Sequence, residues 1–223
     1  MLNNMKQLII KEGNIVIVTG AAHLAFFEKN VEKVYFNVKT KLFSQIKKQD
    51  TVLEIGPGTG VNFKYYPIRL RLTVIEPNIL LHESLRKNAL KNKIKLKIIK
   101  STSERLLFDD KSFDFVVSTL VLCSVHDLHK SLLEIKRVLK KGGRFLFIEH
   151  VLDEKNSFRR VIQHVLAHSP WMFFGDNCHP NRRVADIILN SGFSNVQIKR
   201  YYQAGLGFFG WWIKSHIIGK AAR

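Results

Sequence analysis

Apolar and polar residues follow two different periods along this chain, and the periods switch repeatedly between residues 31 and 151. Apolar side chains in residues 31–46 recur with helical spacing, which predicts an amphipathic helix. Short apolar runs in residues 51–55, 70–77, 93–102, 112–125 and 144–151 predict buried strands, and segments with helical spacing separate several of them. This alternation is typical of a doubly wound, mostly parallel sheet with helices on both faces.

A pair of glycines follows the last predicted helix of this series. Asp127 is a favourable N-cap for the segment DLHKSLLEIKRVLK, residues 127–140. Gly142 and Gly143 come next, and glycine is the usual residue just beyond a helix C-terminus. The pattern therefore predicts a helix that ends at these glycines and a strand, RFLFIEHV, that begins after them.

Two segments have the glycine pattern of a nucleotide-binding turn. EIGPGTG has Gly56, Gly58 and Gly60 after an apolar strand, and Glu76 follows at the end of the next strand. Glycines let the backbone approach a ligand, and an acidic residue about 20 positions later can bind ribose hydroxyls. The earlier segment IVIVTGAAHL, residues 15–24, lacks both the later glycines and the acidic partner. We therefore expect residues 56–60 to form the cofactor loop.

Four motifs occur in the order that is found in class I S-adenosylmethionine-dependent methyltransferases. They are VLEIGPGTG, VIEP, SFDFVVSTLVL and RVLKKGGRFLFIEH, and they span residues 51–151. The chain resembles this family. The resemblance implies a Rossmann-like domain with a seven-stranded sheet and S-adenosyl-L-methionine as the cofactor, with S-adenosyl-L-homocysteine as its product. It implies no metal ion.

The resemblance also assigns residues to each part of the cofactor. Around the methionine part and the ribose it implies Glu54, Gly56, Gly58 and Gly60. For the ribose hydroxyls and the adenine it implies Glu76, Pro77, Asn78, Ser103 and Glu104. Under the methionine part it implies Thr119 and Leu120, at the end of the fourth strand. All of these residues lie at or just after the ends of strands, at the sheet edge where ligands bind.

A narrower resemblance extends over most of residues 31–223. The segments YFNVKTKLFSQI, STLVLCSV, IEHV, WMFFGDNCHPNRR and SHIIGKAAR are similar to segments of small membrane-associated methyltransferase-like proteins. Those proteins act as alkyl thiol S-methyltransferases, so the resemblance implies a small lipophilic acceptor, with a thiol favoured. The late segment at residues 171–183 departs from that family's pattern, and the apolar N-terminal anchor is shorter.

Methyl transfer from a sulfonium ion asks for little acid–base chemistry. It is an in-line displacement that depends mostly on positioning, and a thiol with a pKa of about 8.5 is partly ionised near neutral pH. Glu149 and His150 end the fifth strand, and we name both as candidate catalytic residues, with His150 as the preferred base or orienting group. A structural histidine is the alternative. Cys178 and His179 are adjacent in a late loop, but two neighbouring residues do not make a metal site.

One domain over residues 31–223 accounts for these patterns, with an apolar segment in residues 1–30 before it. Residues 13–27 are nearly uncharged but shorter than the roughly 18 to 20 apolar residues of a membrane span. We expect this segment to cover the cofactor site or to lie at a membrane interface. The two cysteines give no disulfide framework, which favours an intracellular, reducing compartment.

The formal net charge of +18 keeps further substrate classes open. A basic protein attracts phosphate groups, whether of anionic lipid or of nucleic acid. A phospholipid or quinone/isoprenoid methyltransferase at a membrane surface is therefore the alternative to a thiol methyltransferase. The aromatic residues between 158 and 212 also suit a lipophilic substrate or peripheral membrane contact. Nucleic acid is a weaker partner, because the chain has no motif for extruding a base and no added basic module.

Overall fold

The computed structural model describes residues 20–169, 177–203 and 211–223, with side chains from residue 32 onward. The strands are β1 (Thr51–Ile55), β2 (Arg71–Ile75), β3 (Lys95–Ile99), β4 (Phe113–Thr119), β5 (Leu139–His150), β6 (Ser194–Tyr202) and β7 (Ser215–Ala222). The α-helices are α1 (Gly20–Phe43), α2 (His82–Lys91), α3 (Leu128–Val138), α4 (Phe158–Leu166) and α5 (Val184–Leu189). Short 3₁₀ helices cover Val61–Tyr65, Ile79–Leu81 and Trp211–Ile213.

The seven strands form one sheet in the order β3-β2-β1-β4-β5-β7-β6. Strands β1 to β5 pair in parallel, whereas β7 runs antiparallel to both β5 and β6. The predicted seven-stranded, mostly parallel sheet is therefore confirmed, with the C-terminal hairpin as its antiparallel part. The chain order reverses between β1 and β4, and in such sheets a ligand binds at the carboxyl ends of the strands beside this switch point.

Apolar side chains alternate between the two faces of the sheet, and each face has its own core. In β1, Leu53 and Ile55 belong to one core and Val52 belongs to the other. Helices α3 and α5 pack on the first core, and α1 and α2 pack on the second. Because successive residues of a strand point to opposite faces, the central strands are apolar on both sides.

Helix α3 is shorter than the sequence pattern predicts. It ends at Val138 and β5 begins at Leu139, so Gly142 and Gly143 lie inside the strand. The register of β5 against β4 shifts at this point, and Gly142 has a φ of +75°. The prediction that these glycines end a helix is wrong. A glycine with positive φ suits an irregularity in a strand as well as a helix terminus, and the local sequence does not distinguish the two.

Helix α1 begins at Gly20, so residues 20–24 of the segment IVIVTGAAHL are helical. The helix crosses the boundary predicted between residues 30 and 31. Residues 1–19 lie outside the described residues, so the lid or interface role of the N-terminal segment stays a prediction. Among the helices that the structure describes, none is both long enough and apolar enough to span a membrane.

Candidate functional site

The glycine turn after β1 lies at the carboxyl edge of the sheet. Gly56, Gly58 and Gly60 have φ angles of +57°, +59° and +88°, a region that favours glycine. A Cβ at Gly56 would lie 2.7 Å from Cγ2 of Val121, and one at Gly60 would lie 2.8 Å from the Phe63 ring. A side chain at either position would strain the backbone and push on its neighbour. The turn therefore requires glycine at these positions for its own geometry.

A buried polar cluster adjoins this turn. Glu54 is 1% exposed and accepts hydrogen bonds from Nδ2 of Asn62 at 2.6 Å and from the hydroxyl of Tyr66 at 3.0 Å. Nδ2 of Asn62 also donates to Oγ1 of Thr119 at 3.1 Å. Burial, reinforced by the Glu54 carboxylate, raises the pKa of Tyr66, so this hydroxyl stays protonated and donates. The cluster joins the ends of β1 and β4 around one carboxylate.

Oδ1 of Asn62 has no hydrogen-bond partner among the described residues, although Asn62 is only 3% exposed. A buried acceptor without a donor costs about 1–3 kcal/mol, so this oxygen marks a place where a ligand donor fits. The ammonium group of S-adenosylmethionine is such a donor, and the neighbouring Glu54 carboxylate would balance its charge. Our sequence reasoning missed Asn62. Its signal is an amide between two apolar residues, two positions after the last glycine.

Glu76 directly follows β2, next to the glycine turn. Its side chain is buried, and Oε1 accepts the backbone N–H of Asn78 at 2.9 Å. The N–H of Gly56 donates to the carbonyl oxygen of Ile75 at 3.0 Å, which ties the turn to the end of β2. Pro77 is exposed beside it. The Glu76 carboxylate is thus oriented at the sheet edge where ribose hydroxyls bind in doubly wound folds.

The side chains of Ser103 and Glu104 have partners within the protein. Oγ of Ser103 lies 2.7 Å from Oγ of Ser131, and Oε1 of Glu104 accepts the N–H of His126 at 2.8 Å. Burial raises the pKa of Glu104, but hydrogen bonds from Thr102 and from backbone N–H groups outweigh it, so the pKa is lowered. Both residues brace the loops beside α3. Contact of either residue with adenine stays a prediction.

Glu149 lies completely buried beneath the loop that follows β4. Its Oε1 accepts the hydroxyl of Ser118 at 2.6 Å, and its Oε2 accepts the N–H of Leu122 at 3.0 Å. Burial raises the pKa of Glu149, and Cys123 adds to this effect. Leu120 begins this loop with a φ of +59°. Because protein donors occupy both of its oxygens, Glu149 stabilises the loop from below.

His150 ends β5 among sulfur atoms from two loops. Its Nδ1 lies 3.7 Å from Sγ of Cys178, and its Nε2 lies 3.3 Å from Nε2 of Gln163. Sγ of Cys123 completes a group of three ligand atoms that lie within 4.8 Å of one another. Cys123 follows β4 and Cys178 belongs to residues 177–183, the described part of the late loop, so the tertiary structure is what brings them together.

The late loop is held against the loop after β4 by backbone carbonyl groups. Nη1 of Arg182 donates to the carbonyl oxygens of Leu122 and Val125 at 2.8 and 2.6 Å. The N–H of His179 donates to the carbonyl oxygen of Cys123 at 2.9 Å. His179 therefore uses its backbone to dock the loop, and this docking carries the neighbouring Cys178 to the end of β5.

Comparisons with known proteins identify the family of this chain. Residues 53–147 match the family model described as a methyltransferase domain. The chain is 37% identical over 195 residues to thiol S-methyltransferase TMT1B of Rattus norvegicus, across 83% of this chain and 78% of that relative. It is 33% identical over 196 residues to thiol S-methyltransferase TMT1A of Homo sapiens, with the same two shares.

A solved structure has the same fold. Geranyl diphosphate C-methyltransferase of Streptomyces coelicolor, solved with S-adenosyl-L-homocysteine, superimposes with a TM-score of 0.68 over 95% of this chain and 86% of its own. At 14% identity this likeness concerns the fold alone. The sequence relatives show the family, and they confirm the resemblance to class I methyltransferases and the narrower one to thiol S-methyltransferases. The chain is an S-adenosylmethionine-dependent methyltransferase and belongs to the family of the thiol S-methyltransferases TMT1A and TMT1B.

Proposed function

We propose that this enzyme transfers the methyl group of S-adenosylmethionine to the sulfur of a small lipophilic thiol. The observation that carries the proposal is the 37% identity to a thiol S-methyltransferase across 83% of the chain. The proposed cofactor-binding residues are Glu54, Gly56, Gly58, Gly60, Glu76, Pro77, Ser103, Glu104, Thr119 and Leu120. We add Asn62 to them because of its buried, unsatisfied oxygen.

Each part of the cofactor has a counterpart in the chemistry of these residues. We assign the ammonium group of the methionine part to Glu54 and Asn62, which offer a carboxylate and an amide oxygen. We assign the ribose hydroxyls to Glu76. When bound, S-adenosylmethionine supplies an electrophilic methyl group on a positively charged sulfur. The residues of the chain bind it, orient it and keep water from the acceptor, and positioning of this kind provides much of the rate acceleration.

We assign the acceptor sulfur to the ends of β4 and β5, beside His150 and Cys178. Cys178 is partly exposed and His150 is buried, so solvent reaches this corner from the side of the late loop. His150 contacts the acceptor there as a base or as a hydrogen-bond donor. Glu149 is a positioning residue, since its carboxyl holds the loop after β4 through Leu122.

We also propose peripheral contact of the protein with a membrane surface, through helix α4. Phe158, Val161 and Val165 lie at helical spacing on this helix and are 72%, 57% and 64% exposed. Lys155 and Arg160 line the same surface cavity as Phe158 and Val161, and basic residues beside an apolar face favour the interface of an anionic membrane. A lipophilic thiol would be concentrated at such a surface.

The same observations support the second candidate, a phospholipid or quinone/isoprenoid methyltransferase. The exposed apolar face of α4 and the net charge of +18 would suit a lipid acceptor as well as a lipophilic thiol. The free state of both cysteines is in keeping with a reducing, intracellular compartment for either activity. A small lipophilic molecule is the partner in both cases.

A methyl-transfer assay with three acceptor classes distinguishes the candidates. Purified protein and radiolabelled S-adenosylmethionine would be incubated with a panel of alkyl thiols, with phosphatidylethanolamine vesicles and with RNA. We expect label in the methyl thioethers, with longer alkyl chains preferred to short ones. Labelling of the lipid amine without the thioether would replace the proposal by the second candidate. A Glu76→Gln variant provides the control for cofactor-dependent transfer.

A further inference from the structure

The cluster around His150 is compatible with two opposite kinds of chemistry. Thiolate and imidazole groups such as those of Cys123, Cys178 and His150 are ligands that zinc prefers. A neutral imidazole can also donate an N–H to an anionic sulfur atom. The position of the ring proton distinguishes these two functions. A metal ion among the sulfur atoms needs Nδ1 of His150 without a proton, whereas a hydrogen bond to sulfur needs a proton on Nδ1.

The side-chain amide of Gln163 indicates which nitrogen of His150 carries the ring proton. The side chain is completely buried, and its Oε1 accepts the backbone N–H of Asp153 at 2.8 Å. Its Nε2 donates to the carbonyl oxygens of Trp212 at 2.9 Å and Val151 at 3.2 Å. If the amide were flipped, its oxygen would face two carbonyl oxygens and its nitrogen would face an N–H group. None of these three pairs could form a hydrogen bond. The three backbone partners therefore fix which end of the amide is which.

The oriented amide presents a donor to His150. Nε2 of Gln163 lies 3.3 Å from Nε2 of the ring and shares its two protons among this ring nitrogen and the two carbonyl oxygens. An amide nitrogen accepts no hydrogen bond, so the contact suits only a ring nitrogen without a proton. A neutral imidazole carries one proton, which must then be on Nδ1. Nδ1 points to Sγ of Cys178, 3.7 Å away, so the ring donates its N–H toward sulfur.

The neighbouring His216 also carries its ring proton on Nδ1. Its Nδ1 lies 2.9 Å from the carbonyl oxygen of Lys214 and must donate to it, so Nε2 accepts the hydroxyl of Tyr35 at 2.6 Å. Burial, with a further contribution from His150, lowers the pKa of His216 to about 3. The two rings are 5.9 Å apart. His216 is therefore neutral at physiological pH and adds no positive charge beside His150.

We infer that Gln163 is a positioning residue that holds His150 as an Nδ1–H donor to the acceptor sulfur. In this arrangement His150 neither removes the thiol proton nor ligates a metal ion. The identity of the sulfur rests on the proposed function, whereas the position of the ring proton does not. With the proton on Nδ1, its acceptor in the free protein is Sγ of Cys178, 3.7 Å away.

The chemical step balances without a protein base. The acceptor thiol releases its proton to water, and its thiolate accepts the Nδ1–H of His150. A sulfur lone pair then forms the new bond to the methyl carbon, while the bond from that carbon to the sulfonium sulfur breaks and leaves S-adenosylhomocysteine. A fixed donor favours the thiolate over the thiol on the enzyme and keeps the sulfur in line with the methyl group.

Nitrogen-15 NMR of histidine-labelled protein reads the ring proton directly. We expect the His150 signals, assigned by their loss in His150→Gln, to be those of the Nδ1–H form. Gln163→Glu offers Nε2 an acceptor and should move the proton to Nε2. We also expect kcat/KM for a thiol to fall about 10- to 100-fold, the range for one hydrogen bond to a charged group, with cofactor affinity unchanged. Gln197→Glu, at an exposed site on β6, is the matched control.

Three results would overturn the inference. The first is an Nε2–H form of His150 in the wild-type protein, a reading that needs no folded variant. The second is a Gln163→Glu protein that folds and keeps the Nδ1–H form. The third is one equivalent of zinc in native mass spectrometry that is lost in Cys178→Ser. An Nδ1–H form in a protein that methylates lipid amines but no thiol would instead contradict the proposed function.

Discussion

Replacement of the Glu76 carboxylate by an amide removes one charge from the end of β2 with almost no change in volume. The carboxylate is 5% exposed, and the N–H of Asn78 holds its Oε1 at 2.9 Å before any ligand binds. We expect Glu76 to accept both ribose hydroxyls, and a hydrogen bond to a charged group contributes about 1.5–3 kcal/mol. Because Oε1 is shared with Asn78, we take the low end for each bond, about 3 kcal/mol in all. Glu76→Gln should therefore raise the Kd for S-adenosylmethionine about 100-fold.

Isothermal titration calorimetry with S-adenosylmethionine and with S-adenosylhomocysteine measures this Kd, and thermal unfolding checks the fold. Glu83→Gln is the matched control, because it makes the same chemical change at an exposed site on α2, where Glu83 pairs with Lys87. A Kd for Glu76→Gln within about threefold of wild type, which is under about 1 kcal/mol, would refute the ribose assignment if the fold is intact.

Three further predictions concern the turn, the acid stability and the surface. Gly56→Ala should lower the free energy of unfolding in urea by about 1–3 kcal/mol more than Gly142→Ala does. Both glycines have a positive φ, but only at Gly56 would the new Cβ press against another side chain. Equal losses in the two variants would contradict this. Burial raises the pKa of Asp153, but accepted hydrogen bonds lower it to about 2. The Asp153 carboxylate therefore stabilises the fold above pH 4, and this contribution is lost as the pH falls from about 4 to 2. Asp153→Asn should make the free energy of unfolding depend less on pH in this range. Val161→Glu on α4 should weaken sedimentation with anionic vesicles, whereas Leu133→Glu, exposed on α3, should not.

The parallel sheet and the glycine turn at residues 56–60 were accessible from the sequence because their signals are local. A buried parallel strand needs an apolar run, and a turn with positive φ needs glycine, whichever other segments pack nearby. Gly56, Gly60 and Glu76 could therefore be identified from their spacing, and the family resemblance added the cofactor. The same local signal misled us at Gly142, since positive φ at a glycine does not reveal whether a helix end or a strand irregularity requires it.

The proposed acceptor site depends on contacts that no local pattern contains. His150, Cys123 and Cys178 come from three separate segments, and Gln163 reaches His150 from the buried face of α4. Glu149 and His150 are neighbours in sequence, but they point to opposite sides of β5, so one supports a loop and the other faces sulfur. The sequence by itself determined at which strand ends the proposed cofactor residues lie. Only the tertiary structure decided which of those side chains are left to contact a ligand, because hydrogen bonds between distant segments determine that.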